Sequence, residues 1–128
     1  MPAVNRLLLD THVFIWWREK SPRLTRDAIV DIATADSVFV SIATAWEIAI
    51  KVSNGRLKVP GPVGAAITHS RFTELPITAD HVQRTTTLPH HHRDPFDRML
   101  AAQALHEGLT LVTHDRAFAP YTLPVRWA

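Results

Sequence analysis

Apolar runs of strand length alternate along this chain with segments of helical period. Leu7-Leu8-Leu9 ends at Asp10 and leads into Thr11-His12-Val13-Phe14-Ile15-Trp16-Trp17, the pattern of a buried strand that delivers its last residue into a helix start. Past Ser21-Pro22, the alternation over residues 25–35 predicts a helix, and Val38-Phe39-Val40 predicts a second buried strand ending at Ser41. Ser41 or Thr44 then caps a helix through Trp46, Glu47, Ile48 and Ile50 to Asn54, with Gly55 where helices commonly stop in a left-handed turn. Pro60-Gly61-Pro62 breaks the chain.

A shorter helix is predicted over residues 63–70 and a third strand over 72–77, after which Thr78 caps a helix reaching Leu88. Pro89-His90-His91-His92-Arg93 has no apolar period and reads as a loop. Asp94-Pro95-Phe96-Asp97 supplies a capping residue, a proline at the first helical position and an acid at the third. It precedes Met99-Leu100-Ala101-Ala102-Gln103-Ala104-Leu105 and a stop at Gly108. Residues 109–113 form a buried strand ending just before Asp115, and residues 125–127 a last short one. Strands alternating with helices give an α/β fold, a mainly parallel sheet with helices on both faces. Without repeats or linkers, residues 1–128 are expected to form one domain.

Composition narrows the class. At 128 residues and 46% hydrophobic content the chain can bury a sizeable core. The 14 Lys+Arg against 12 Asp+Glu, a formal charge of +2, argue against charge-driven disorder and against histone-like coating of nucleic acid. No cysteine is present, so thiolate zinc sites, iron–sulfur clusters and a cysteine nucleophile are excluded; any metal must be held by oxygen or histidine. The first ten residues are too short for a signal sequence, and no apolar stretch approaches the roughly 20 residues of a membrane span. A cytoplasmic protein is expected.

The candidate chemistry is carboxylate chemistry. In parallel sheets of this kind, ligands bind at the carboxyl ends of strands and at the helix starts that follow them. Asp10 follows the first strand, Asp115 the fourth, Asp94 and Asp97 open a helix, and Glu47 lies in the first two turns of another. Carboxylates within about 4 Å repel by on the order of 4 kcal/mol per pair at an effective dielectric of roughly 20, a cost that a hard divalent cation removes. Each acid also has a plainer reading: Asp10 and Asp94 as helix caps, Glu47 as the partner of Lys51, Asp97 as a first-turn acid and Asp115 as a turn residue. Their coincidence at corresponding ends of strands and helices makes the case for a site.

Four motifs carry a resemblance that covers nearly the whole chain. Leu7-Leu8-Leu9-Asp10-Thr11-His12, the segment Ser41 to Lys51 with Trp46-Glu47-Ile48, His92-Arg93-Asp94-Pro95-Phe96-Asp97-Arg98-Met99-Leu100-Ala101-Ala102-Gln103-Ala104, and Leu111-Val112-Thr113-His114-Asp115 resemble PIN-domain proteins, specifically VapC-type toxins. The resemblance implies a three-layer PIN-like fold and a magnesium- or manganese-dependent endoribonuclease that leaves a 5′-phosphate. It also implies a cognate VapB-type antitoxin that holds the enzyme inactive, and a homodimer is expected. Carried over by motif, Asp10, Glu47, Asp97 and Asp115 are the catalytic acids. Asp10, Asp97 and Asp115 are the metal ligands, Asp94 is a further candidate, and the hydroxyls of Thr11 and Thr113 support them. Asp94 and Asp97 can share one side of the helix start, and the family pattern favours Asp97. Where some relatives place a further acid two residues after Asp115, Ala117 stands here.

Arg93 and Arg98 flank the acids and are candidates for RNA phosphate contacts, with plain surface charge as the other account. The histidine run 90–92 has no metal-ligand spacing and reads as a solvated loop. Trp16 and Trp17 point about 100° apart on a helix, so one is expected in the core and the other, with Phe14 and Ile15, in an antitoxin-binding groove; burial of both is the alternative. Two other functions fit the same strand ends. A small-molecule phosphatase is disfavoured because His12 breaks the Asp-x-Asp nucleophile pattern, and a non-catalytic binding module because all four matched acids are present. With four acids in one pocket, 14 basic face 8 acidic residues elsewhere, a basic shell suited to a polyanion.

Overall fold

The computed structural model describes residues 5–90 and 94–128. Strands β1 (Arg6–Leu9), β2 (Ser37–Ser41), β3 (Thr73–Leu75), β4 (Thr110–Thr113) and β5 (Val125–Trp127) form one sheet in the order β3-β2-β1-β4-β5, every neighbouring pair parallel. In the central strands Leu8 stands opposite Phe39 and Leu111, and Leu9 opposite Val40 and Val112. Leu7, Leu8 and Leu9 are all fully buried, as a central parallel strand covered on both faces requires.

Alternation of side chains along the strands divides the core into two. Leu7 and Leu9 pack with Val13 of α1 (Thr11–Glu19), Ile32 of α2 (Arg26–Thr34), Ile48 of α3 (Ile42–Ser53) and Ile67 of α4 (Val63–His69). Leu8 and Leu111 pack on the other face with Leu100, Ala101 and Ala104 of α6 (Pro95–Glu107) and with Phe118, and α5 (Ala79–Thr85) lies against α6. The result is a helix–sheet–helix sandwich, the three-layer α/β arrangement expected from the alternation.

The predicted caps act as such. The side chains of Asp10, Ser41, Thr78 and Asp94 accept backbone amides at the starts of α1, α3, α5 and α6, and Thr25, not foreseen as a cap, does so at the start of α2. At the end of α6, Gly108 takes φ 67°, a left-handed conformation open to glycine without a Cβ penalty.

Two elements are shorter than predicted. The strand expected over 72–77 pairs only through Thr73–Leu75, at the sheet edge, and Pro76 follows it. The helix expected to reach Leu88 ends at Thr85, where the chain tightens into i→i+3 turns: the amides of Thr86 and Thr87 donate to the carbonyls of Gln83 and Arg84, and the hydroxyls of Thr85, Thr86 and Thr87 add bonds to Val82, Gln83 and Arg84 that compete with a regular continuation. The two tryptophans divide as expected in burial: Trp16 is buried, with its ring 5.4 Å from that of His114, and Trp17 is only partly buried, its ring 5.6 Å from that of Phe72. Trp17 does not join Phe14 and Ile15 in one groove; it lines a separate pocket with Leu24 and Ile29. Among the described residues no helix is long and apolar enough to cross a membrane.

Candidate active site

The order β3-β2-β1-β4-β5 reverses direction at β1: the chain winds outward on one side through β2 and β3, then returns to β4 on the other. At such a switch point adjacent crossovers leave on opposite faces, which opens a crevice at the strands' carboxyl ends. Asp10 stands there. Its amide donates to the Val112 carbonyl at 3.0 Å, anchoring it between β1 and β4, and its Oδ1 accepts the Val13 amide at 2.8 Å as the cap of α1. Its Oδ2 accepts the Thr113 hydroxyl at 2.5 Å, and Thr113 Oγ1 in turn accepts the Asp115 amide.

Around Asp10 lies a cleft of about 270 Å³ lined by Thr11, His12, Glu47, Lys51, Asp94, Asp97 and Asp115. The fold therefore brings together all the acids that the sequence singled out. Thr113 supports the cleft from behind, while Thr11 both lines it and donates to Glu47 Oε1 at 2.6 Å. Asp94 retains its plainer role as well: Oδ1 accepts the amides of Phe96 and Asp97, which fixes the first turn of α6 and with it the backbone of Asp97. Asp115 likewise turns the chain by accepting the Ala117 amide at 2.9 Å.

Glu47 shows the same double use. Lys51, one turn further along α3, places Nζ 3.2 Å from Glu47 Oε2, the pairing read as the plain alternative, yet both side chains line the cleft. Thr11 and Lys51 thus take one carboxylate oxygen each, which fixes the orientation of Glu47. Lys51 and His12 were not foreseen as cleft residues. The spacing of Lys51 from Glu47 was the available signal; that of His12 was its place two positions after Asp10.

Electrostatics favour a cation here. Burial pushes the Asp10 carboxyl above the usual carboxylate range, opposed by the Thr113 and Val13 hydrogen bonds and the charge of His12, with Asp115 adding to the push. Among the described lining residues, five carboxylates face a single ammonium, that of Lys51. A hard divalent ion with oxygen ligands fits this donor set and offsets its repulsion.

A second group of possible ligands, His81, His106 and Glu107, has donor atoms within 4.8 Å of one another, away from the cleft lining. Its hydrogen bonding assigns it a different role. His81 Nδ1 accepts the Thr78 amide, so the ring proton resides on Nε2, which donates to Glu107 at 2.8 Å. A metal would need the lone pair that Nε2 lacks in this tautomer. The pair ties α5 to the end of α6.

Arg98 differs from expectation. Its guanidinium donates to the carbonyls of Thr85, Leu88 and Pro89, so it clips the segment after α5 onto α6. Arg93, like His91 and His92, lies outside the described residues.

The sequence matches the PIN domain family over residues 7–122, most of the chain, and the chain belongs to that family. Ribonuclease VapC22 of Mycobacterium tuberculosis is 30% identical over 124 residues, spanning 94% of this chain and 95% of the relative. Among solved structures, VapBC2 from Rickettsia felis bound to a promoter DNA fragment has a similar chain, with TM-score 0.75, 19% identity and coverage of 95% of this chain and 98% of that one. DNA-bound VapBC from Salmonella typhimurium gives TM-score 0.67, 18% identity and coverage of 96% and 98%. At those identities the structural likeness speaks for the fold, in agreement with the family match.

Proposed function

We propose that this protein is an endoribonuclease of the VapC type, the toxin of a toxin–antitoxin pair, which hydrolyses RNA phosphodiester bonds in the cytoplasm with Asp10, Glu47, Asp97 and Asp115 as its acids. The observation that carries this reading is the meeting of those four carboxylates in one cleft at the switch point of a PIN-domain sheet. Asp10, Asp97 and Asp115, with Asp94 beside them, would hold magnesium or manganese. When bound, that ion neutralises the carboxylates' mutual repulsion and polarises phosphate and water.

The chain's own groups supply the rest. Asp10 is held by the Val13 amide and the Thr113 hydroxyl, so its carboxylate does not need to reorganise on binding. Glu47, oriented by Thr11 and Lys51, is the group to align a water and take its proton. The Lys51 ammonium is available to the phosphate's negative charge.

For the VapB-type antitoxin the reading takes the apolar groove lined by Phe14, Ile15, Ile48, Val59 and Val63, whose charged lining is Arg18, Glu19 and Lys58, a net positive set. Phe14 and Ile15 were the expected members of that groove. An apolar segment with acidic residues suits it. Co-purification with the cognate small protein, lost in Val63→Glu and retained in Asp97→Asn, is the expected behaviour. Self-association completes the proposal, and the molar mass of the antitoxin-free chain by light scattering tests it.

The decisive experiment is cleavage of RNA by purified, antitoxin-free protein. Manganese or magnesium should support cutting with 5′-phosphate ends, chelation should stop it, and undiminished cutting by Asp10→Asn or Asp97→Asn would overturn the assignment.

A further inference from the structure

We infer that His12 and Arg23, gathered on the buried indole of Trp16, form a subsite for a backbone phosphate of the RNA next to the scissile one, a role that rests on the ribonuclease reading above. His12 belongs to the cleft: it lines the same cavity as Asp10, Glu47 and Asp97, and it is exposed. One turn further along α1, the buried Trp16 carries the His12 ring, centroids 6.0 Å apart. His114, next to the cleft acid Asp115, packs edge to face against the same indole at 5.4 Å. Two segments that line the cleft thus converge on Trp16, which fixes the group at the cleft's border.

Arg23 arrives by the turn after α1. Lys20 takes a left-handed conformation, the Ser21 amide returns to the Trp16 carbonyl at 2.9 Å, and Ser21 Oγ accepts the Arg23 amide at 3.2 Å. The chain doubles back, and the Arg23 guanidinium lies 5.8 Å from the centroid of the Trp16 ring. Stacking on an aromatic face engages the plane of a guanidinium and leaves its N–H edges available. Among the described residues, neither the His12 ring nor the Arg23 guanidinium has a hydrogen-bond or carboxylate partner.

Two observations select a phosphate as the occupant. The first is donor chemistry: His12 and Arg23 offer N–H groups that no acid of the chain takes up, held in place by aromatic packing, so little side-chain entropy is left to lose on binding an anion. The second is charge balance. Five carboxylates in one cleft repel a polyanion, and a divalent ion among them offsets that repulsion at the scissile phosphate alone. The neighbouring phosphates need donors from the protein. Arg98, the cation expected to meet them, commits its N–H groups to main-chain carbonyls, whereas His12 and Arg23 stand available beside the cleft.

Such a subsite positions the strand and leaves the chemistry to the acids, so its loss falls on KM. The test uses full-length protein and a short single-stranded RNA with manganese. His12→Phe keeps a ring on Trp16 and removes the N–H, and Arg23→Gln removes the charge. Each is expected to raise KM about fivefold with kcat changed less, and His12→Gln and Arg23→Lys to recover most of the loss. In Arg23→Gln the dependence of log KM on log salt should flatten by about 0.7, the share of one contact on a single strand. An uncharged methylphosphonate at a phosphate flanking the scissile one should weaken the wild type by a like factor and Arg23→Gln hardly at all. In chelator, where nothing is cut, anisotropy of the labelled RNA should rank wild type and variants in the same order. Unchanged KM in both His12→Phe and Arg23→Gln, or equal sensitivity of wild type and Arg23→Gln to the methylphosphonate, would overturn the subsite; loss of antitoxin co-purification in those variants would then assign the donors to an acidic segment of that partner. Absence of cutting by the wild type would sink the ribonuclease reading instead, and equal RNA affinities in the chelator titration would overturn the subsite as well.

Discussion

Thr113 joins two acids of the cleft through one hydroxyl: it donates to Oδ2 of the buried Asp10 and accepts the amide of Asp115. A residue on β4 thereby fixes a carboxylate on β1 and the turn that carries another. Because Asp10 is only 4% exposed, water cannot readily replace that donor.

Thr113→Val keeps the shape and removes the hydroxyl. Metal affinity is expected to fall about 10- to 100-fold, the usual effect of losing an outer-shell partner, and metal-free stability by roughly 1–3 kcal/mol. Thr113→Ser should restore most of both. Manganese titration calorimetry and thermal melts read the two effects, and unchanged manganese affinity in Thr113→Val would refute the coupling.

Asp10→Asn separates stability from activity. The folded state raises the Asp10 carboxyl above its unfolded value, so the native chain binds that proton more tightly than the unfolded chain does. The resulting stability is fully present below the unfolded value and is lost as pH rises through the raised, folded one. In chelator-treated samples, the melting temperature of Asp10→Asn relative to wild type should therefore rise as pH goes from the carboxylate range to neutral, superposed on a constant loss because the single amide oxygen cannot accept from both Val13 and Thr113. RNA cutting should be lost throughout. A variant that loses ground to wild type as pH rises would contradict the sign.

Lys51→Met removes the one ammonium among the described residues lining the cleft and frees Oε2 of Glu47. With less positive charge near the acids, manganese should bind several-fold more tightly while cutting slows. Stability should move by only a few tenths of a kcal/mol, the usual worth of an i,i+4 pair on a helix. Weaker manganese binding would show that Lys51 organises the ligands rather than competing with the ion.

Arg98→Met tests the clip between α6 and the segment after α5. Loss of charge-assisted bonds to Thr85, Leu88 and Pro89 should destabilise by about 1.5–3 kcal/mol, with KM for RNA unchanged at a temperature where the variant is folded. A raised KM together with a shallower salt dependence would instead assign Arg98 to phosphate binding.

Much of this arrangement was legible along the chain. Leu7-Leu8-Leu9 and Val38-Phe39-Val40 read as buried strands because both faces of a covered parallel sheet demand apolar residues, and Ser41, Thr78 and Asp94 read as caps because the orphan amides of a helix start demand an acceptor. Lys51 and His12 were not read as cleft residues, since their relation to Asp97 and Asp115 depends on how separate helices approach. The outcome for Trp16 and Trp17 was likewise open, because a helix's apolar stripe specifies that a face is buried and leaves unstated what covers it; here Phe72 and His114 do.

The sequence by itself determined the alternation of strands and helices and most of the caps, consequences of local periodicity and of donors and acceptors a few residues apart, and through its family resemblance it named the candidate acids. The tertiary structure alone decided that β1 and β4 lie side by side, so that Asp10 and Asp115, over a hundred positions apart, meet at one switch point. It also decided that a capping role and a site role coexist in Asp10 and Asp94. Each carboxylate has two oxygens with more than one lone pair apiece, so one interaction can hold a helix start while the remaining capacity faces the cleft.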